Sequence, residues 1–118
     1  MAVDMNIWRN LVIDEVNNLA DEEWLRNLWL GNIPGYVGSA DEQFNRYFSN
    51  AAIEEFLGRS DTGFNDKQLQ SLRHLTKMMG DLCNETKDQK FLPPSFIDDP
   101  RWQKVIAAAK ETKRLLDL

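Results

Sequence analysis

The side chains of this chain that could do chemistry are mostly carboxylates, and they occur in small groups. The groups are Asp14-Glu15, Asp21-Glu22-Glu23, Asp41-Glu42 and Glu54-Glu55. Neighbouring carboxylates can coordinate a hard cation or act as acid and base. None of these groups follows the DxDxDG spacing of a calcium loop or the Glu-x-x-His spacing of a di-iron bundle. We therefore favour solvated helix faces or a partner-binding surface over a metal or catalytic site.

The other reactive side chains form no catalytic set. His74 is the only histidine and Cys83 the only cysteine, so a zinc site would lack the paired ligands that it needs. The sequence contains no GxSxG nucleophile motif and no glycine-rich phosphate loop. We expect His74 at the surface and Cys83 as a buried, inert thiol. The sequence thus predicts a protein that is not an enzyme, with no catalytic residue, metal or cofactor.

The charge is unevenly distributed along the chain. The net charge is −5, and residues 1–57 hold ten acidic against three basic residues, a balance of −7. A protein that binds nucleic acid directly needs a basic surface to neutralise phosphates, so a basic protein partner is the better expectation. No apolar run reaches the ~18 residues of a membrane span, and the first residues lack a secretory signal. We expect a cytoplasmic protein that does not bind membranes.

The longest helical pattern lies between Asn65 and Asn84 and predicts the spine of the fold. Its apolar residues recur at steps of three and four, namely Leu69, Leu72, Leu75, Met79, Leu82 and Cys83. Asn65 is a good helix cap, and Gln68 stands where a capping box needs a side chain that reaches back to the cap. We expect the stripe to be buried along its length.

The rest of the chain predicts shorter helices. Helices are expected over 5–19 with Asp4 as cap, over 21–30, from Ser39 with a capping box to Glu42, over 50–57, and from Asp99-Pro100 to near the carboxyl terminus. The third and fourth are continuous or kinked near Ser49. Residues 91–96, FLPPSF, are expected to be extended. With 118 residues and 42% hydrophobic composition, the chain predicts an all-α fold, a single compact bundle of about five to seven helices over residues 1–118.

The aromatic residues are assigned to two roles. Trp8, Trp24, Trp29 and Trp102 lie on the apolar sides of predicted helices and are expected in the core. Tyr36 lies in the turn-rich segment IPGYVG and close in sequence to Asp41 and Glu42. Exposed tyrosines surrounded by polar groups are common interface anchors. The ring of Tyr36 could equally fold over the core.

The chain resembles the small immunity proteins of bacterial contact-dependent growth inhibition systems. The resemblance lies in IWRNLVIDEVNNLADEEWLRNLWL, in DEQFNRYFSNAAIEEFL, and in the overall size and acidity. It implies a protein that binds and blocks one cognate toxin domain, in many systems a basic nuclease. On this hypothesis the partner-binding residues are Glu22, Glu23, Tyr36, Asp41, Glu42, Glu54 and Glu55.

Two other functions remain open at this point. An adaptor or regulatory subunit could use the same acidic surface on a basic host protein. A nucleic-acid-binding domain could use the basic residues of the last helix, which are Lys104, Lys110, Lys113 and Arg114. The negative net charge makes the second alternative the weaker one.

Overall fold

The structure is a computed structural model that describes residues 4–89 and 92–116. Its elements in chain order are α1 (Met5–Ala20), α2 (Glu22–Trp29), α3 (Ala40–Asn45), a π-helical turn (Arg46–Asn50), α4 (Ile53–Leu57), α5 (Asp66–Thr86), a 3-10 turn (Pro94–Asp98) and α6 (Pro100–Leu116). No strand occurs in these two ranges. The predicted all-α bundle of about five to seven helices is confirmed.

Helix α5 begins where its capping signals predict. The Asn65 side chain accepts a hydrogen bond from the Gln68 amide, and the Gln68 side chain accepts one from the Asn65 amide, both at 2.8 Å. Gln68 also donates through Nε2 to the carbonyl of Leu115 at 3.0 Å, which ties the start of α5 to the end of α6. The helix runs two residues beyond its predicted end, to Thr86.

The apolar stripe of α5 is buried only along its middle. Leu72, Leu75, Met79 and Leu82 are buried, which confirms most of the prediction. Leu69 and Cys83 are half-buried, so their expected burial is wrong. These two residues lie at the edges of the helical arc that faces the core, and an edge position leaves one side of a side chain open.

Helix α6 packs against both α1 and α5 and carries the centre of the aromatic core. Asp99 Oδ1 accepts a hydrogen bond from the Arg101 amide at 2.8 Å, and Pro100 opens the helix, as the sequence predicts. Trp102 is fully buried, and its ring contacts those of Trp29, Phe44 and Phe96 with centroids 5.1 to 6.1 Å apart.

Helix α1 buries only part of its apolar face. Val12 and Val16 are buried against the bundle, whereas Ile7 is 61% and Leu11 45% exposed. Ile7 lies ~140° around the helix axis from Val12, because each residue advances ~100°. The apolar arc of α1 is therefore wider than the bundle can cover, and one edge of it faces solvent.

The expectation that all four tryptophans lie in the core is half wrong. Trp29 and Trp102 are buried, but Trp8 and Trp24 are only half-buried. Trp8 donates from Nε1 to the carbonyl of Ala51 at 2.7 Å. This hydrogen bond holds the half-buried Trp8 ring against the chain just before Ala52.

The chain between α3 and α4 reverses at an alanine. The helix continues through Ser49 as a π-helical turn, and it ends at Asn50. Ala52 then adopts a left-handed backbone conformation with φ of +48°, which separates α4 from the turn. The predicted helix over 50–57 is thus shortened to Ile53–Leu57, and the break lies after Ser49.

The proline segment is partly extended. Pro93 is extended, but Pro94 opens the 3-10 turn, so the expected extended segment is wrong from residue 94 onward. Proline fits the first position of a helical turn, because the amide that it lacks has no partner there. Leu92, Phe96 and Ile97 are buried and hold this segment on the bundle. Residues 90 and 91 lie outside the described residues.

Candidate functional site

A groove lies between α5 and the segment formed by α3, the π-helical turn and α4. Its volume is about 430 Å³. Carboxylates, phenyl rings, a thiol and an amide face it from Asp41, Phe44, Phe48, Glu54, Cys83 and Asn84. No lysine or arginine is among the described residues that line it. We call it the acidic groove.

The α3 side of the acidic groove follows from helical spacing. The hydroxyl of Ser39 accepts a hydrogen bond from the Glu42 amide at 3.1 Å, which is the first of the two bonds of the predicted capping box and marks the start of α3. Asp41 stands in this first turn, where the helix dipole favours a carboxylate. Phe44 and Phe48 follow three and seven residues later, on the same side of the helix. The groove therefore has a charged end and an apolar floor.

The reversal at Ala52 brings a second carboxylate to the groove. Because α4 starts directly after this left-handed residue, Glu54 lies in the first turn of α4 and lines the groove together with Asp41. Asp41 Oδ2 also accepts a hydrogen bond from the Leu92 amide at 3.3 Å, which positions its side chain. Two carboxylates that are 13 residues apart in sequence thus share one surface.

Cys83 lies in the acidic groove and is not a fully buried core residue. Burial raises the pKa of the Cys83 thiol, and the negative charge of Asp41 raises it further. A raised pKa keeps the thiol protonated near neutral pH, and a protonated thiol is a poor nucleophile. The predicted chemical inertness of Cys83 thus has a physical basis, although its predicted full burial was wrong.

The predicted partner-binding residues fall on more than one surface. Asp41 and Glu54 line the acidic groove, and Glu42 and Glu55 are exposed beside them in the chain. Tyr36 is 66% exposed on the loop between α2 and α3, as predicted for an anchor, but it does not line the groove.

The two acidic residues at the start of α2 lie apart from the groove. Glu22 forms a salt bridge of 3.0 Å with Arg26, which also binds Asp98 at 3.0 Å. Glu23 lines a separate hollow beside Asp21. Arg26 thus offsets one of the two negative charges of Glu22 and Asp98. The groove takes its negative charge from α3 and α4.

Sequence reasoning missed the buried carboxylate of Glu15. Glu15 is only 9% exposed, and its Oε2 lies 3.8 Å from Nε of Arg46. Burial raises the pKa of Glu15, while the positive charge of Arg46 partly opposes that shift. The available signal was its position, because Glu15 lies on the same side of α1 as the buried residues Val12 and Val16.

Acidic side chains from α6 itself and from α5 lie beside two of the basic residues of α6. Arg114 forms a salt bridge of 2.6 Å with Glu111. Lys104 lines a shallow hollow that Asp81 and Glu85 also line. A phosphate approaching this face would therefore meet carboxylates as well as cations, which weakens the case for nucleic-acid binding. His74 is exposed, as predicted.

The described residues form neither a metal site nor a membrane-spanning helix. Within residues 4–89 and 92–116, no three His, Cys, Asp or Glu side chains are arranged to hold a metal ion. None of the helices in this part of the chain is long and apolar enough to cross a membrane. Neither a protein-family model, nor a curated protein, nor a solved structure matches this chain.

Proposed function

We propose that this chain is a non-enzymatic immunity protein that binds and neutralises a basic toxin domain through its acidic groove. The observation that carries the proposal is the composition of the groove. Asp41 and Glu54 reach it from two different helices, the floor is apolar, and the lining residues that the structure describes include no basic side chain. Such a site is complementary to a lysine or arginine side chain of a partner.

The groove can hold both parts of a long basic side chain. Lysine and arginine carry an aliphatic stem and a charged end. The stem would pack on Phe44 and Phe48, and the charged end would form hydrogen bonds with Asp41 or Glu54. Hydrogen bonds between ionised groups contribute about 1.5 to 3 kcal/mol each, so one such contact changes affinity by roughly tenfold or more.

The electrostatic field of the first half of the chain also supports binding of a basic toxin. An excess of seven negative charges over residues 1–57 attracts a basic protein before contact and speeds association. A nuclease needs lysine and arginine to hold phosphate groups, and carboxylates can replace phosphate on those side chains. Together with the resemblance to immunity proteins of contact-dependent growth inhibition systems, this favours a nuclease toxin and a cytoplasmic site of action.

The first experiment is a pull-down from the source cell's lysate with this chain as bait, washed at low and then at moderate salt. The proposal expects one basic toxin domain in equal amount, whose activity is lost on binding. Recovery of a housekeeping enzyme with altered activity would instead support an adaptor or regulatory subunit. Recovery of nucleic acid alone would overturn the proposal.

A matched pair of variants then tests the groove itself. Asp41→Asn with Glu54→Gln removes two charges from the groove, and Asp66→Asn with Glu111→Gln removes two exposed charges elsewhere. We expect the groove variant to weaken toxin binding by at least about tenfold at an ionic strength of about 0.15 M. The control variant should change binding less than about threefold, since remote exposed charges are screened. Equal losses in the two variants would rule out the groove as the binding site.

A further inference from the structure

Helix α1 carries a second exposed surface that the acidic groove does not include. Asp4, Ile7, Leu11 and Asp14 follow one another at steps of three, four and three. On a helix these four residues lie within an arc of ~80° and along ~15 Å of the axis. We call them the α1 stripe. Its middle is apolar and exposed, and each end is an exposed carboxylate.

The apolar part of the α1 stripe lies beside the Trp8 ring, which is held in a fixed position. A shallow hollow of about 360 Å³ is lined by Asp4, Ile7, Trp8 and Leu11. The Trp8 indole is fixed by its hydrogen bond to the Ala51 carbonyl, and its ring packs edge-on against Phe56 at 5.5 Å. A ring that is held in this way presents a preformed surface, so a partner would lose little free energy to order it.

The two charges that belong to the α1 stripe, those of Asp4 and Asp14, are both negative. Arg9 is the only basic residue of α1, and its guanidinium donates to the Thr62 carbonyl and to the Asn6 side chain. A segment that docks on the stripe therefore meets negative charge at both ends of an apolar contact.

We propose that the α1 stripe docks one amphipathic helix of a partner protein. The apolar side of that helix packs on Ile7 and Leu11, in the helix-to-helix mode whose anchors recur at three- and four-residue steps. Lysine or arginine residues of the partner, about ten positions apart, lie ~15 Å from each other and pair with Asp4 and Asp14. A second copy of this chain is a poor occupant, because it would bring like charges together.

Two synthetic helical peptides of about 15 residues test this proposal. Both carry leucines at helical spacing, and the leucines are flanked by arginines in one peptide and by glutamates in the other. We expect the arginine peptide to bind at least about tenfold more tightly by calorimetry at low salt, with an advantage that shrinks as salt is added. Amide shifts in nuclear magnetic resonance spectra should map its contact to α1.

Matched variants identify the surface that the peptide occupies. Ile7→Ser with Leu11→Ser should weaken binding of the arginine peptide by at least about tenfold, because it removes the exposed apolar contact. Leu30→Ser with Val37→Ser, an exposed apolar pair elsewhere, should leave the affinity unchanged.

A second set of variants tests the charges. Asp4→Asn with Asp14→Asn keeps a capping side chain at residue 4 and should bring the affinities of the two peptides close together. Asp41→Asn with Glu54→Gln should not affect peptide binding, so this surface can fail or succeed independently of the acidic groove.

Several results would overturn the proposal. The first is that neither peptide binds, and the second is that both peptides bind equally well to the unaltered chain. The third is an equal loss of affinity in the control variant of Leu30 and Val37. A dimer that forms with rising protein concentration, and that the variant of Ile7 and Leu11 abolishes, would assign the stripe to a second copy of this chain.

Discussion

The hydrogen bond between Tyr47 and Thr76 predicts that its two partners contribute unequally to stability, because one hydroxyl donates and the other accepts. The two hydroxyl oxygens are 2.8 Å apart, and Thr76 also donates to the Leu72 carbonyl at 2.8 Å. Because the Thr76 hydroxyl has a single proton and gives it to Leu72, Tyr47 must be the donor to Thr76. Burial raises the pKa of Tyr47 well above its ordinary value, so the phenol keeps this proton.

Removing either partner should therefore have unequal effects on the free energy of unfolding. Tyr47→Phe removes the donor and leaves Thr76 bonded to Leu72, which should cost about 0.5 to 1.5 kcal/mol. Thr76→Val leaves the Tyr47 hydroxyl buried without an acceptor, which should cost about 1 to 3 kcal/mol. The valine variant should thus be the less stable by about 1 kcal/mol.

The assay is urea denaturation followed by circular dichroism at pH 7, for the two single variants and for the double variant. The double variant removes both polar groups, so we expect it to be more stable than the sum of the two single losses implies. A Tyr47→Phe variant that loses as much stability as Thr76→Val, or two losses that simply add, would refute the donor assignment. The result matters for function because Tyr47 lies in the π-helical turn that also carries Phe48 of the acidic groove.

Three further predictions concern stability. Leu75→Ala should lower the free energy of unfolding by about 2 to 5 kcal/mol, since Leu75 is fully buried, and a loss below about 0.5 kcal/mol in denaturation would contradict its place in the core. Glu15→Gln should stabilise the protein at pH 7, because the pKa of Glu15 is raised on folding and its ionised form costs stability. This cost is present above the folded pKa and disappears as the pH falls below the ordinary value of 4.5. The thermal midpoints of the variant and the unaltered protein should therefore differ more at pH 7 than at pH 4, and an equal difference would contradict the prediction. Ala52→Gly should raise the unfolding free energy by up to about 1 kcal/mol, because alanine is strained at positive φ, and a lower denaturation midpoint would contradict that.

The parts of the fold that local signals control could be predicted from the sequence. Helix α5 starts at Asn65 with the predicted capping box, and α6 starts at Asp99-Pro100. In each case a few adjacent residues satisfy the free amides of a helix start, so no distant contact is needed to place it. The periodic spacing of leucines likewise identified the buried side of α5.

Features that depend on distant contacts could not be predicted in the same way. The helix break occurs at Ala52, a residue type with no preference for positive φ, so composition gave no signal for it. The packing of α6 decides which part of the apolar arc of α1 is buried. The acidic groove combines residues from 41 to 84, and it needs the reversal at Ala52 to bring Glu54 beside Asp41. Local acidity identified both carboxylates but could not show that they share a surface.

The amide of Gln68 has a consequence for how the two longest helices open. Its oxygen accepts from the backbone at the start of α5, and its nitrogen donates to the backbone near the end of α6. One side chain therefore couples the start of α5 to the end of α6, although 50 residues separate Asn65 from Leu115 along the chain. Loss of order at Gln68 removes a hydrogen bond from both helix ends, so the opening of one end favours the opening of the other.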